Sequence, residues 1–200
     1  MKVITLSQGA VEWQARELAL SLIAENASGF DLMVGVRRGG EFLADALEKF
    51  LPEGYCRYRI NVTLQRPSTR GKGARLAAVL GNTPLWMLNS ARRLEAWWLS
   101  MKTKYNKRPD TRKMVVDPGV EFPNLEPHSR ILLVDDAIDS GSTIKVVSDS
   151  LRGIYVDPKI MIVVITVTTD VAVVEPDFCK YHNRTLVRFP WSIDYKKMMP

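Results

Sequence analysis

Apolar positions recur along this chain in two periods. Val11, Ala15, Leu18, Leu22 and Ile23 return at helical spacing behind Ser7, a natural N-cap, so 11–24 is predicted to be a helix. A short apolar run over 31–36 reads as a buried strand and stops at Arg37-Arg38-Gly39-Gly40. Phe42, Leu43, Ala46, Leu47 and Phe50 then share one face of a helix over 41–50. Residues 56–64 alternate, with Tyr58, Ile60 and Val62 on one side, as a strand does. Further on, 131–134 is a buried strand, 142–151 a helix ended by Gly153, and 159–167 a second continuous apolar strand. The end of the chain, 176–200, reads as loop with a strand over 185–189. Apolar strands alternating with helices predict an α/β fold, a parallel sheet flanked by helices on both faces.

Between Leu64 and Arg130 the alternation breaks. Pro67 to Gly73 is a flexible-loop composition, 74–81 and 85–104 are helix candidates, and 114–116 can return to the sheet. A connection this long inside an α/β unit is an insertion or a functional element. We therefore expect one domain, 1–200, carrying a long basic helical insertion at 65–127. No internal repeat or low-complexity tract is visible.

Charge sharpens that view. The chain has 28 Lys and Arg against 22 Asp and Glu, a net +6. Residues 66–113 hold twelve of the bases and two acids, net +10, which leaves −4 for the rest. The basic character belongs to one segment, and a concentrated basic segment needs an acidic partner or substrate more than an evenly basic chain does. Arg66, Arg70, Lys72, Arg75, Arg92, Arg93, Lys102 and Lys104, interleaved with Trp86, Trp97 and Trp98, are the candidates for contact with nucleic acid or a protein partner. Leu94, Trp98 and Met101 fit one apolar stripe, so Trp98 reads as packing rather than stacking.

Two cysteines, Cys56 and Cys179, exclude a disulfide scaffold and a four-cysteine zinc site, and His128 and His182 lack metal spacing. The most apolar run, 160–167, is too short to span a bilayer. No charged region followed by a long apolar one opens the chain, so no membrane association is expected and cytoplasm is the default.

The stretch that carries chemistry is Ile131-Leu132-Leu133-Val134-Asp135-Asp136-Ala137-Ile138-Asp139-Ser140-Gly141-Ser142-Thr143. It is an apolar strand, an acid pair, then a small hydroxylated loop opening a helix. Ligands of open α/β sheets bind beyond the carboxyl ends of strands, and helix N-terminal N–H groups favour phosphate. Ser140, Ser142 and Thr143 can add hydroxyl donors. Asp135 and Asp136 would repel a phosphate directly, so they suit sugar hydroxyls or a Mg²⁺ ion held through water. Together these parts describe a sugar-phosphate site. It is not a P-loop, because no Gly-x-x-x-x-Gly-Lys-Ser/Thr occurs.

This stretch resembles the phosphoribosyl-diphosphate (PRPP) motif of type I phosphoribosyltransferases. Val34-Gly35-Val36-Arg37-Arg38-Gly39-Gly40 is similar to the pyrophosphate loop of their purine-specific members. Pro176-Asp177-Phe178, followed by Arg188-Phe189-Pro190-Trp191, is similar to the hood of xanthine and hypoxanthine–guanine phosphoribosyltransferases, with 168–200 contributing that hood. The resemblance covers about 1–64 and 130–195 and implies Mg²⁺-dependent transfer from PRPP to a purine-like base by a homo-oligomer. It implies that Asp135 and Asp136 hold the ribose hydroxyls with Mg²⁺ nearby. Asp139, Ser140, Gly141, Ser142 and Thr143 would cradle the 5′-phosphate, and Arg37, Arg38, Gly39 and Gly40 the pyrophosphate. It further implies a cis Arg37–Arg38 peptide, Asp139 as the base toward the purine ring nitrogen, and Trp191 stacked on the purine.

The chain departs from the family pattern twice. Purine enzymes carry a lysine after the penultimate strand, whereas Ile165-Thr166-Val167-Thr168-Thr169-Asp170 has none. Thr168 would offer the base a weaker hydrogen bond, and Asp170 would prefer an amino group. The family's shorter flexible loop is replaced by the basic insertion. Because one family branch regulates pyrimidine operons by binding RNA, the alternative expectation is a PRPP- or nucleotide-binding regulator with weak or no turnover.

Overall fold

The computed structural model describes residues 2–65, 112–182, 185–192 and 195. The order of elements is β1 (Lys2–Thr5), α1 (Gln8–Glu25), β2 (Phe30–Val36), α2 (Gly39–Glu48), β3 (Cys56–Gln65), β4 (Lys113–Val116), β5 (Arg130–Ile138), α3 (Ser142–Ile154), β6 (Lys159–Val167), β7 (Phe178–Tyr181) and β8 (Thr185–Arg188). Ser7 is the N-cap of α1 as predicted, its hydroxyl accepting from the Ala10 N–H at 3.2 Å.

Six strands form the main sheet in the order β4-β3-β2-β5-β6-β7, and all neighbours are parallel except β3 and β4. The predicted parallel sheet thus carries one antiparallel edge, where 113–116 returns to it. Successive residues of the central strands feed opposite cores. Met33, Leu132, Val134, Val163 and Ile165 pack with α1 and α2, while Leu32, Val34, Ile131, Leu133, Ile162 and Val164 pack with α3. This two-sided burial is why β2, β5 and β6 read as unbroken apolar runs.

Three sequence-based boundaries are corrected. The glycines expected to precede the second helix form its first turn, so α2 starts at Gly39. Strand β5 does not stop at Val134 but carries the acid pair and ends at Ile138, paired with β6 as far as Val167. Gly153 does not end α3; the helix continues to Ile154, and the Tyr155 N–H still reaches the Leu151 carbonyl at 2.9 Å. Leu151 and Tyr155 are both buried, and that packing outweighs the weak helix propensity of one glycine.

Two strands escaped the sequence reading, both four residues long. β7 lies inside the supposed terminal loop, where Asp177 locks it to β6. The Asp177 N–H donates to the Ile162 carbonyl at 2.9 Å, and the Ile162 N–H donates back to Asp177 Oδ2 at 2.7 Å. β1 pairs in parallel with β8 in a separate two-stranded sheet, so the hood joins the first residues of the chain to the stretch around 185–188. The buried Arg188 clamps it, donating to Thr5 Oγ1 at 3.1 Å. The predicted helices at 74–81 and 85–104 lie outside the described residues.

Candidate active site

The strand order reverses between β2 and β5. From β2 the chain passes through α2 on one face to β3, and from β5 through α3 on the other face to β6. Helices leaving neighbouring strands toward opposite faces open a crevice at the strands' carboxyl ends, the usual ligand site of an open α/β sheet. The two stretches singled out in the sequence, 37–40 and 135–143, both emerge there.

Their juxtaposition is tight. A Cβ at Gly40 would strike the Val134 carbonyl and lie 2.9 Å from the Asp135 Cα. A Cβ at Gly39 would fall inside the Asp136 carboxyl group. These two positions need glycine for closeness of approach, and that closeness sets the first turn of α2 against the acid pair. The Arg37–Arg38 peptide is cis, as the resemblance implies.

The two arginines differ. Arg37 is engaged by acids, through Nε to Glu41 Oε2 at 3.2 Å and Nη2 to Asp117 Oδ2 at 2.7 Å. Arg38 is exposed at the start of α2. The loop cation best placed to meet an incoming anion is therefore Arg38, while Arg37 fastens the loop to the connection after β4.

Asp135 is 8% exposed, and its Oδ1 accepts from the Asp136 N–H at 2.9 Å. Burial pushes its carboxyl well above the ordinary aspartate range, and the neighbouring Asp136 charge adds to the effect. Burial also raises Asp136, opposed chiefly by a hydrogen bond from Trp191, whose Nε1 donates to Asp136 Oδ2 at 2.7 Å. Two adjoining carboxylates with a shared cost of ionisation fit a divalent cation, which would relieve both burial and repulsion. Among the described residues no cluster of three or more metal-ligating side chains exists.

The Trp191 ring stacks on Phe189 (centroids 5.0 Å apart, 3° between planes) and on Phe42 (4.9 Å, 20°). The residue expected to lie on a purine is thus packed between hood and α2 and linked to an acid of the site. Thr168 is also engaged. Its hydroxyl donates to Asp139 Oδ1 at 2.6 Å, so it orients the carboxylate expected to act as base. Past Asp139 the chain turns through Ser140 and Gly141, which has φ +77° and caps α3 without a side chain. The Val173 N–H pins this turn by donating to the Ser140 carbonyl at 3.0 Å.

A cavity of about 360 Å³ opens beside the loop after β6, with Asp170, Glu175 and His182 among its polar lining. His128 pairs with Asp157 at 2.9 Å on the surface, and the Cys179 thiol donates to the Tyr181 carbonyl at 3.2 Å. The candidates Arg66, Arg70, Lys72, Arg75, Arg92, Arg93, Lys102 and Lys104 lie outside the described residues. One site residue was not anticipated. Arg112, counted only among the basic residues, donates from Nη2 to Ser142 Oγ at 2.9 Å and from Nη1 to Thr143 Oγ1 at 3.3 Å. Thirty positions separate it from Ser142, and no local pattern links them.

No family model matches the chain, and no curated protein matches its sequence. Solved structures do. A purine phosphoribosyltransferase from Pyrococcus horikoshii superposes with a TM-score of 0.60 at 18% identity, covering 100% of both chains. The chain has the type I phosphoribosyltransferase fold. The Helicobacter pylori xanthine-guanine-hypoxanthine phosphoribosyltransferase matches with a TM-score of 0.59 at 17% identity, over 96% of this chain and 95% of its own. A hypothetical protein from Neisseria gonorrhoeae with bound ppGpp matches at 0.55 and 15%, over 95% of this chain and 89% of that one. In a phosphoribosyltransferase fold, the crevice between β2 and β5 is where residues 37–40 and 135–143 meet. No described helix is long and apolar enough to cross a membrane.

Proposed function

We propose that this protein transfers the phosphoribosyl group of PRPP to a purine-like base with release of pyrophosphate. The observation that carries the reading is the contact between the Gly39–Gly40 turn and the Asp135–Asp136 pair, with Asp139 and the α3 N-terminus following at the same crevice. A pyrophosphate loop, a pair of sugar-facing acids and a phosphate turn so arranged bind the three parts of PRPP at once. The likeness in fold to purine phosphoribosyltransferases supports the same reading.

Asp135 and Asp136 would accept from the ribose hydroxyls and hold Mg²⁺. When bound, the ion would supply charge stabilisation for departing pyrophosphate. Arg38 and the first N–H groups of α2 would bind the same leaving group. The ring nitrogen of the base attacks the anomeric carbon as the carbon–pyrophosphate bond breaks, and the ring proton passes to Asp139. Thr168 keeps that carboxylate aimed. Holding both reactants in line is the main catalytic task in this reaction. The acids Asp170 and Glu175 at the neighbouring cavity would suit a base carrying an amino group.

The test is pyrophosphate release from PRPP and Mg²⁺ with xanthine, hypoxanthine, guanine and adenine offered separately. Turnover of one base is expected. Asp139→Asn should remove turnover and leave PRPP binding intact; full activity in that variant would sink the assignment of the base. Tight PRPP binding without turnover of any base would replace the enzyme reading by that of a ligand-binding regulator.

A further inference from the structure

The first arginine of the 37–40 turn is held through both its backbone and its side chain. The Arg37 N–H donates to the Val62 carbonyl at 2.8 Å, continuing the β2–β3 ladder by one residue. Its guanidinium bridges two acids on different elements. Nε and Nη2 donate to Glu41 of α2 at 3.2 and 3.4 Å, and Nη2 donates to Asp117 at 2.7 Å. The sheet explains this reach. Val62 lies between Val36 on β2 and Val116 on β4, so Asp117 leaves the sheet two strand spacings from Arg37, about 10 Å across. A long side chain from one side and a carboxylate from the other close that gap. Glu41 is held in turn, because Asn61 on β3 donates from Nδ2 to its Oε1 at 3.3 Å. Asn61 fits beside a glycine, since a Cβ at Gly35 would lie 2.6 Å from its Oδ1. That Oδ1 is buried and has no hydrogen-bond partner among the described residues, so the amide is kept in place at a cost.

The charges argue against Arg37 as an anion ligand. Glu41 and Asp117 bring two negative charges to the turn and Arg37 returns one, so the network as a whole opposes an incoming pyrophosphate. Its contribution lies in geometry. We propose that Arg37, Glu41 and Asp117 are positioning residues, which fix the 37–40 turn so that Arg38 and the first N–H groups of α2 face the pyrophosphate. The inference rests on the phosphoribosyl reading. It replaces the expected role of Arg37 as a pyrophosphate ligand and adds Asp117, a residue from outside both motifs. An arginine suits this task better than a lysine, because its planar fork serves two carboxylates at once. Because Asp117 directly follows β4, the turn is registered against the antiparallel edge of the sheet, two strands away from β2.

The sign of one substitution separates the two roles of Arg37. The experiment is calorimetric titration of the whole protein with inorganic pyrophosphate plus Mg²⁺, with PRPP plus Mg²⁺ and with ribose 5-phosphate. It compares wild type, Asp117→Asn, Asp117→Glu, Arg37→Met and the double variant Arg37→Met with Asp117→Asn. If Arg37 binds the anion, Asp117→Asn removes a negative charge and releases a guanidinium, so pyrophosphate binds more tightly. Positioning predicts the reverse. Pyrophosphate and PRPP should bind about 2- to 10-fold more weakly, a modest loss because partly exposed ion pairs are individually weak. Ribose 5-phosphate lacks the group that the 37–40 turn meets, so its affinity should be unchanged, which also reports an intact fold. Asp117→Glu should recover part of the loss. In the Arg37→Met background Asp117→Asn should have no further effect, because Asp117 acts through the guanidinium. Unchanged or tighter pyrophosphate and PRPP binding in Asp117→Asn would overturn the proposal. So would an equal loss for ribose 5-phosphate, which would make Asp117 merely structural, or a loss that persists with Arg37→Met. A wild-type protein that binds none of the three ligands would instead bring down the phosphoribosyl reading itself, and this proposal with it.

Discussion

Replacing Trp191 by phenylalanine removes one hydrogen bond while keeping an aromatic ring between hood and α2. The Trp191 N–H donates to Asp136 Oδ2 at 2.7 Å, and the ring stacks on Phe42 and Phe189. A hydrogen bond to an ionised group contributes about 1.5–3 kcal/mol. At about 2–4 °C per kcal/mol for a chain of this size, Trp191→Phe should lower Tm by about 3–12 °C near neutral pH. A smaller ring also loses packing, so the size of the drop alone does not isolate the bond. Its pH dependence does. The N–H favours the charged carboxylate and opposes the rise that burial imposes on Asp136, so the variant should raise that group further. The hydrogen-bond part of the loss is full above the Asp136 titration and fades as pH falls through it. Because burial raises Asp136, fading begins above the pH of about 4 at which an exposed aspartate titrates. The assay is thermal unfolding of wild type, Trp191→Phe, Asp136→Asn and the double variant between pH 4 and 8. A Tm difference between wild type and Trp191→Phe that stays constant across that range would refute the reasoning. So would a pH-dependent difference that persists with Asp136→Asn.

Asp135→Asn should stabilise the ligand-free protein at neutral pH. A carboxyl raised in the folded state contributes stability that is present below its unfolded titration and lost as pH rises through the folded one. The advantage of the asparagine variant should therefore shrink toward pH 4 in the same thermal scans, and equal stability at pH 7 would contradict the burial argument. Gly40→Ala should cost about 1–3 kcal/mol or more by overpacking, because its Cβ meets the backbone of Val134 and Asp135 rather than a yielding side chain. It should also weaken PRPP binding by shifting the 37–40 turn, and unchanged stability and affinity in chemical denaturation and calorimetry would show that the turn is not so constrained.

The elements that could be read from residues alone were those buried on both sides or strongly periodic. β2, β5 and β6 are apolar because each faces two cores, and a local run of Val, Ile and Leu records that. α1 was legible from its spacing and its Ser7 cap. That 135–143 brings an acid pair and a hydroxylated turn to the start of a helix was legible too, since all of them lie within nine consecutive residues. Short edge and hood strands were not. β1 and β7 are four residues each, and their identity depends on pairing outside their own stretch, with β8 at the other end of the chain for β1 and with β6 across the intervening loop for β7. What each polar group does was also decided by distant contacts. Asp139 is aimed by Thr168, Asp136 is held by Trp191, Arg37 is taken by Asp117, and Arg112 arrives at Ser142. Such pairings span from 29 to 80 residues of sequence. Local spacing carries the period of a helix or strand and the donors of a compact loop, whereas hydrogen bonds between elements depend on how strands are ordered and registered, and that order exists only once the chain has packed.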